Sequence, residues 1–103
     1  MIHLMKIYSK SFCPSCQRLL TLLDEGSISY ELIDIAESPG QTALMQALSG
    51  HSGVPQVAVE NIIIYDYGTE ETLVKDIQKV LSRGIITESN RRDLTSQFVF
   101  LGQ

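Results

Sequence analysis

The spacing of apolar residues changes period several times along the chain, and each change marks an element. Leu4 to Tyr8 are apolar except for Lys6 and partly β-branched, which predicts a buried strand over residues 2–8. Cys16, Leu19, Leu20 and Leu23 then fall at i, i+3, i+4 and i+7, one face of an amphipathic helix expected over 13–25. Gly26 is placed to be its C′ residue. Tyr30 to Ile35 predicts a second strand, and a helical crossover makes it parallel to the first. Ser38-Pro39-Gly40-Gln41 has the pattern of a capping box: an N-cap serine, a proline at N1 and a glutamine at N3. Gln41, Leu44, Met45 and Leu48 carry that helix on to Gly50.

The second half is read the same way. His51-Ser52-Gly53-Val54-Pro55 is a loop leading into a strand over Gln56–Val59. Glu60-Asn61 reverses the chain into Ile62–Tyr65, so these two strands pair as an antiparallel hairpin. Thr69 is the expected N-cap of a third helix, with Glu70 and Glu71 in its first turn. The apolar face of that helix is Leu73, Val74, Ile77, Val80 and Leu81, and Gly84 is expected to end it. The order βαβ, α, ββα predicts an α/β domain: a four-stranded mixed sheet flanked by helices. Residues 1–84 form this domain. Residues 85–103 are expected to be an extension whose one apolar patch is Phe98-Val99-Phe100-Leu101.

Charge and composition narrow the function classes. At 103 residues the chain is one domain with a single core, and 44% hydrophobic with 19% charged residues is ordinary for a soluble protein. A formal net charge of −4 argues against general nucleic-acid or anionic-membrane binding. No apolar run is long enough to span a bilayer, and no signal peptide is visible, so the cytosol is the default location. In that compartment a lone Cys-x-x-Cys is catalytic or metal-binding rather than a structural staple.

Both cysteines of the chain lie in Tyr8-Ser9-Lys10-Ser11-Phe12-Cys13-Pro14-Ser15-Cys16, where a strand hands over to a helix. Attack on a disulfide needs a thiolate, and the unpaired N–H groups and positive dipole end of a helix start favour an anion. Cys13 falls at the N-cap, Lys10 adds a nearby positive charge, and Pro14 suits the first helical position. Cys16, three residues on, is within disulfide reach and one turn deeper. Cys13 is therefore expected to attack and Cys16 to resolve.

Three stretches together resemble the glutaredoxins. They are Tyr8-x-Lys10-x-Phe12-Cys13-Pro14-x-Cys16, Gly53-Val54-Pro55-Gln56, and the acidic helix start Gly68-Thr69-Glu70. The resemblance covers about Leu4 to Arg83 and implies a thioredoxin-like fold with a cis Val54-Pro55 bond. It implies that Cys13 and Cys16 are catalytic, and that Lys10, Pro14, Val54, Pro55, Thr69 and Glu70 bind substrate. Lys10 would meet the glycine carboxylate of glutathione. The Val54 main chain would pair with its backbone, and Thr69 and Glu70 would meet its γ-glutamyl end. The implied protein is a monomeric oxidoreductase acting on glutathione and disulfide-containing proteins. It has no tightly bound cofactor and no metal, and glutathione is its reducing co-substrate. The sequence departs from the family where a Gly-Gly pair is common, reading Tyr65-Asp66-Tyr67-Gly68, and where glycine, Gly53, replaces the usual threonine before Val54.

Other readings stay open on the residues alone. The cysteines could be buried thiols, or two of four zinc ligands completed by His3 and His51. Lys10 could be a solvated loop residue, and Glu70 and Glu71 could serve only the helix dipole. Tyr65 and Tyr67 could be packing residues rather than groove walls. Two functional rivals follow: a redoxin reduced by thioredoxin reductase that feeds electrons to a reductase such as ribonucleotide reductase, and an iron–sulfur or metal carrier. Pro14 counts against the carrier.

Overall fold

The computed structural model describes residues 5–59, 62–82 and 90–93. The elements follow in chain order as β1 (Met5–Ser9), α1 (Pro14–Glu25), β2 (Glu31–Asp34), α2 (Pro39–Ser49), β3 (Gln56–Val59), β4 (Ile62–Asp66), α3 (Glu70–Leu81) and β5 (Asn90–Asp93). The strands lie in the order β2-β1-β3-β4-β5. The first four are the mixed sheet the pattern predicts. β1 pairs with β2 in parallel, and β1–β3 and β3–β4 are antiparallel. β5, from the stretch expected to be an extension, adds a fifth strand along β4. The calls on His3, Glu60-Asn61, Gly84 and the apolar patch at 98–101 fall outside the described residues.

Period-2 alternation sorts the strand residues onto two faces. Met5, Ile7, Val57, Val59 and Ile64 point to one side, where Leu19 and Leu23 of α1 and Leu73, Ile77 and Val80 of α3 cover them. Tyr8, Ile33 and Ile63 point to the other, where Met45 of α2 covers them. Each of these side chains, fully buried, stabilises the fold by roughly 1.5–3 kcal/mol relative to exposure. α1 and α3 therefore lie side by side on one face, and α2 lies alone on the other.

Several local readings are corrected. Ser27, not Gly26, takes the left-handed conformation after α1, at φ 55°. The Ile28 N–H donates to the Leu23 carbonyl and the Ser27 N–H to the Asp24 carbonyl, which is a Schellman closure. Ile28 packs against the core at this point, and that contact sets where the helix stops. Ser38 precedes α2 without a side-chain cap. Its carbonyl instead accepts from the Thr42 hydroxyl, which also donates to Ile35. Leu44 is 46% exposed, so the buried side of α2 runs through Met45, Leu48 and Ser49. α3 ends at Leu81 with Ser82 as its C-cap, and Leu81, expected on the buried face, is exposed. Gly50 closes α2 in the left-handed region as expected, at φ 75°.

Candidate active site

The loop after β1 delivers Cys13 as the N-cap of α1, with Pro14 at the first helical position. The Cys13 Sγ accepts the Cys16 backbone N–H at 3.3 Å, and the Cys13 carbonyl accepts from the Gln17 N–H at 3.0 Å. Cys13 is 8% exposed and Cys16 1%. Neither thiol is in a disulfide. Burial pushes the Cys16 thiol up to about 12, and its hydrogen bond with the Cys13 side chain acts in the same direction. The Lys10 backbone and charge pull the other way and are outweighed. Cys16 is thus a protonated, inward-facing thiol, while Cys13 has the helix N-terminus to itself.

The sheet brings the second stretch to the same place. Tyr8 pairs with Gln56 across β1 and β3. Continuing that antiparallel register sets Pro55 beside the start of the cysteine loop. The Val54-Pro55 bond is cis, with Pro55 buried and Val54 partly buried. Gln56 holds this loop: its Nε2, on a side chain with no exposed surface, donates to the carbonyls of His51 and Gly53 at 2.9 Å each. His51 stacks on Tyr65 with ring centroids 4.2 Å apart, and its Nδ1 lies 3.0 Å from the Ser49 carbonyl. His51 is thereby occupied in packing the loop.

The third corner is the start of α3. Thr69 caps the helix: its Oγ1 accepts from the Thr72 N–H at 3.1 Å. That hydroxyl is committed to the helix, which leaves the backbone N–H groups and Glu70 for any ligand. Arg18 of α1 is ion-paired with Glu71 of α3 across the two helix starts, which the shared core already sets side by side. The hydrogen bond from Arg18 holds the Glu71 carboxyl below the usual carboxylate range, and the guanidinium charge adds to it.

Tyr67 joins the corner to the dithiol. Its ring packs on the α1/α3 core, and its hydroxyl hydrogen-bonds to Glu70. Burial, Glu70 and then the two cysteines all raise the tyrosine's pKa, so its hydroxyl stays a donor. The structure therefore places Cys13, Cys16, Pro14, Val54, Pro55, Thr69 and Glu70 around one end of the sheet. Lys10, exposed in the loop, lines a cavity on the flank formed by α1 and β2, and Cys16 lines the same cavity.

Three further contributors are named in the sequence reading without their roles being fixed there. Gln56 carries a faint signal as a polar residue opening an otherwise apolar strand. Tyr67 could be placed only once α1 and α3 were known to touch. Phe12, at φ 61° and 92% exposed, adopts a backbone conformation that no local pattern announces.

Among the described residues, no group of three or more His, Cys, Asp or Glu side chains converges to hold a metal ion. No described helix is long and apolar enough to cross a membrane.

The stretch from β1 through the dithiol and the Val54-Pro55 loop to β4 is matched by known proteins. The family model for glutaredoxin matches residues 5–64. An uncharacterized glutaredoxin-like 8.6 kDa protein in the rubredoxin operon of Clostridium pasteurianum is 29% identical over 68 residues, covering 66% of this chain and 91% of that one. Glutaredoxin 1 of Rickettsia felis is 30% identical over 63 residues, which are 59% of this chain and 62% of that protein's length. The crystal structure of a glutaredoxin from Archaeoglobus fulgidus superposes with a TM-score of 0.62 at 28% identity, over 81% of this chain and 89% of its own. The family model spans more than half of the chain and takes in both cysteines and the cis-proline loop, and it shows the protein to be a glutaredoxin of the thioredoxin fold, a thiol–disulfide oxidoreductase.

Proposed function

We propose that this glutaredoxin reduces protein and glutathione mixed disulfides through Cys13 and Cys16, with glutathione as its reductant, in the cytoplasm. The observation that carries the reading is the asymmetry of the two thiols. One caps a helix and accepts its N–H; the other lies deeper, and burial holds it protonated until it is needed.

The Cys13 thiolate attacks one sulfur of the substrate disulfide. The old S–S bond breaks, the leaving sulfur departs as a thiolate and takes a proton, and a Cys13 mixed disulfide remains. Cys13 no longer carries a charge at that point, which removes one group that disfavours ionisation of Cys16. Cys16 gives up its proton and attacks the Cys13 sulfur. The second substrate thiol is released, and a Cys13–Cys16 disulfide remains. Two electrons have moved from the protein to the substrate, and two glutathione thiols return them.

Glutathione suits the surroundings of Cys13. Val54 offers main-chain pairing groups beside the cysteine loop, and Lys10 offers a cation for a carboxylate. The α3 N-terminus offers N–H groups to the γ-glutamyl end. Tyr67 occupies part of that last corner and already engages Glu70, so binding is expected to be weak.

The test supplies oxidised protein separately with glutathione and with thioredoxin reductase plus NADPH. Lys10→Ala and Glu70→Ala should each raise the apparent KM for glutathione, by the equivalent of about 0.5–1.5 kcal/mol for one hydrogen bond. If neither substitution alters glutathione kinetics and the reductase turns the protein over efficiently, a thioredoxin-reductase-dependent redoxin replaces this reading.

A further inference from the structure

A cavity of about 190 Å³ opens beside the dithiol, lined by Ser9, Lys10, Ser11, Phe12, Cys16, Gln17, Leu20, Leu32 and Asp34. None of these residues belongs to the Val54-Pro55 loop or to α3, so Lys10 is the one residue the cavity shares with the groove proposed for glutathione. Its base is the buried Ser9 and Cys16. At its mouth stand Phe12, 92% exposed, and Leu32, 50% exposed, the two most exposed of the large apolar side chains described. β2 is an edge strand and α1 does not reach far enough across to cover Leu32.

Phe12 makes the arrangement specific. A bulky residue at φ 61° is strained, and such strain persists where the surroundings or a function require it. Its ring is nearly all in solvent, so core packing does not explain it. The left-handed turn sets the ring beside the cavity, one residue before Cys13.

We propose that this cavity is a specificity subsite that receives an apolar side chain of a polypeptide substrate, from a residue flanking the half-cystine that Cys13 attacks. Size argues for a single side chain. Pockets for whole small molecules run to about 300–1,000 Å³, well above this one. Position argues for a polypeptide held at the dithiol, because Cys16 forms part of the base and Phe12 is joined to Cys13. Leu20, Leu32 and Phe12 give apolar contact, while Lys10, Gln17 and Asp34 supply the polar rim expected of such a site. The inference rests on the dithiol reading and is independent of which reductant restores the protein.

The test measures second-order rate constants for oxidation of the reduced full-length protein by two peptides. Each peptide carries one cysteine in a mixed disulfide with 2-mercaptoethanol, flanked on both sides by leucine in one and by serine in the other. The leucine peptide should react about tenfold faster, the lower end of what one apolar subsite contributes. That ratio should fall toward one in Leu32→Asn. It should fall likewise in Phe12→Asn, a residue that tolerates the left-handed backbone. Equal rates with the unaltered protein overturn the subsite, and so does a ratio that survives both substitutions. If neither peptide oxidises the reduced protein, the dithiol reading itself falls and takes this one with it.

Discussion

The Cys16 backbone N–H donates to the Cys13 Sγ at 3.3 Å, so the deeper residue of the pair fixes the sulfur of the shallower one at the helix start. The same turn of helix keeps the Cys16 thiol under the surface, where burial raises its pKa. Alkylation of the reduced protein at mildly acidic pH should therefore modify Cys13 well before Cys16, as peptide mapping would show. Equal rates, or faster modification of Cys16, would reverse the roles. Cys13→Ser should abolish exchange, and Cys16→Ser should accumulate mixed disulfides.

The raised Cys16 pKa also makes the reduced protein sensitive to alkali. Unfolding returns this thiol to its ordinary value near 9.0, against about 12 when folded. Between those values the unfolded chain has lost a proton that the native state retains, so stability falls as pH rises through this window. Tyr8, Tyr30 and Tyr67 are shifted upward too and add to the fall at its upper end. Denaturant midpoints of the reduced protein should decline across the window, and less steeply for Cys16→Ser. A flat or rising profile contradicts the burial argument.

Gln56 should matter more to substrate affinity than its distance from the sulfurs suggests. Gln56→Leu keeps the bulk but removes both bonds to the 51–55 loop. A stability loss of about 1–3 kcal/mol is expected for these buried bonds. KM for disulfide substrates should rise as Val54 is released, with a smaller change in kcat. An unchanged KM would show that the loop is held by other contacts.

A chain ending at Gly84 should fold cooperatively and retain most activity on a small disulfide. The described core residues lie between Met5 and Val80, and β4 keeps β3 as a partner when β5 is removed. Stopping there exposes the β4 edge, so some loss of solubility is expected. Unfolding at ordinary temperature would place the domain boundary beyond residue 84.

Where local chemistry decides, the sequence was legible. Cys13 and Thr69 were readable as N-caps because a strand pattern stops and a helical one starts at each. The β1–α1–β2 unit followed from periodicity and chain handedness. Reading failed where tertiary contact overrides the local signal. Gly26 looks like the helix terminator, but docking of Ile28 passes the left-handed turn to Ser27. Leu44 looks like core, but α2 lies alone over a narrow cluster and buries only one stripe through Met45. At the site, the sulfurs were visible from spacing. The roles of Tyr67, Gln56 and Phe12 were not, since they depend on which helices touch, which loop a strand end anchors and one unusual backbone angle.

The division of the core by the sheet has a practical side. Because α2 sits on the opposite face from α1 and α3, a fluorophore or surface tether at Leu44 would stand away from the sulfurs and leave their approaches open. Attached there, the protein could be wired to an electrode or followed by fluorescence while it exchanges disulfides.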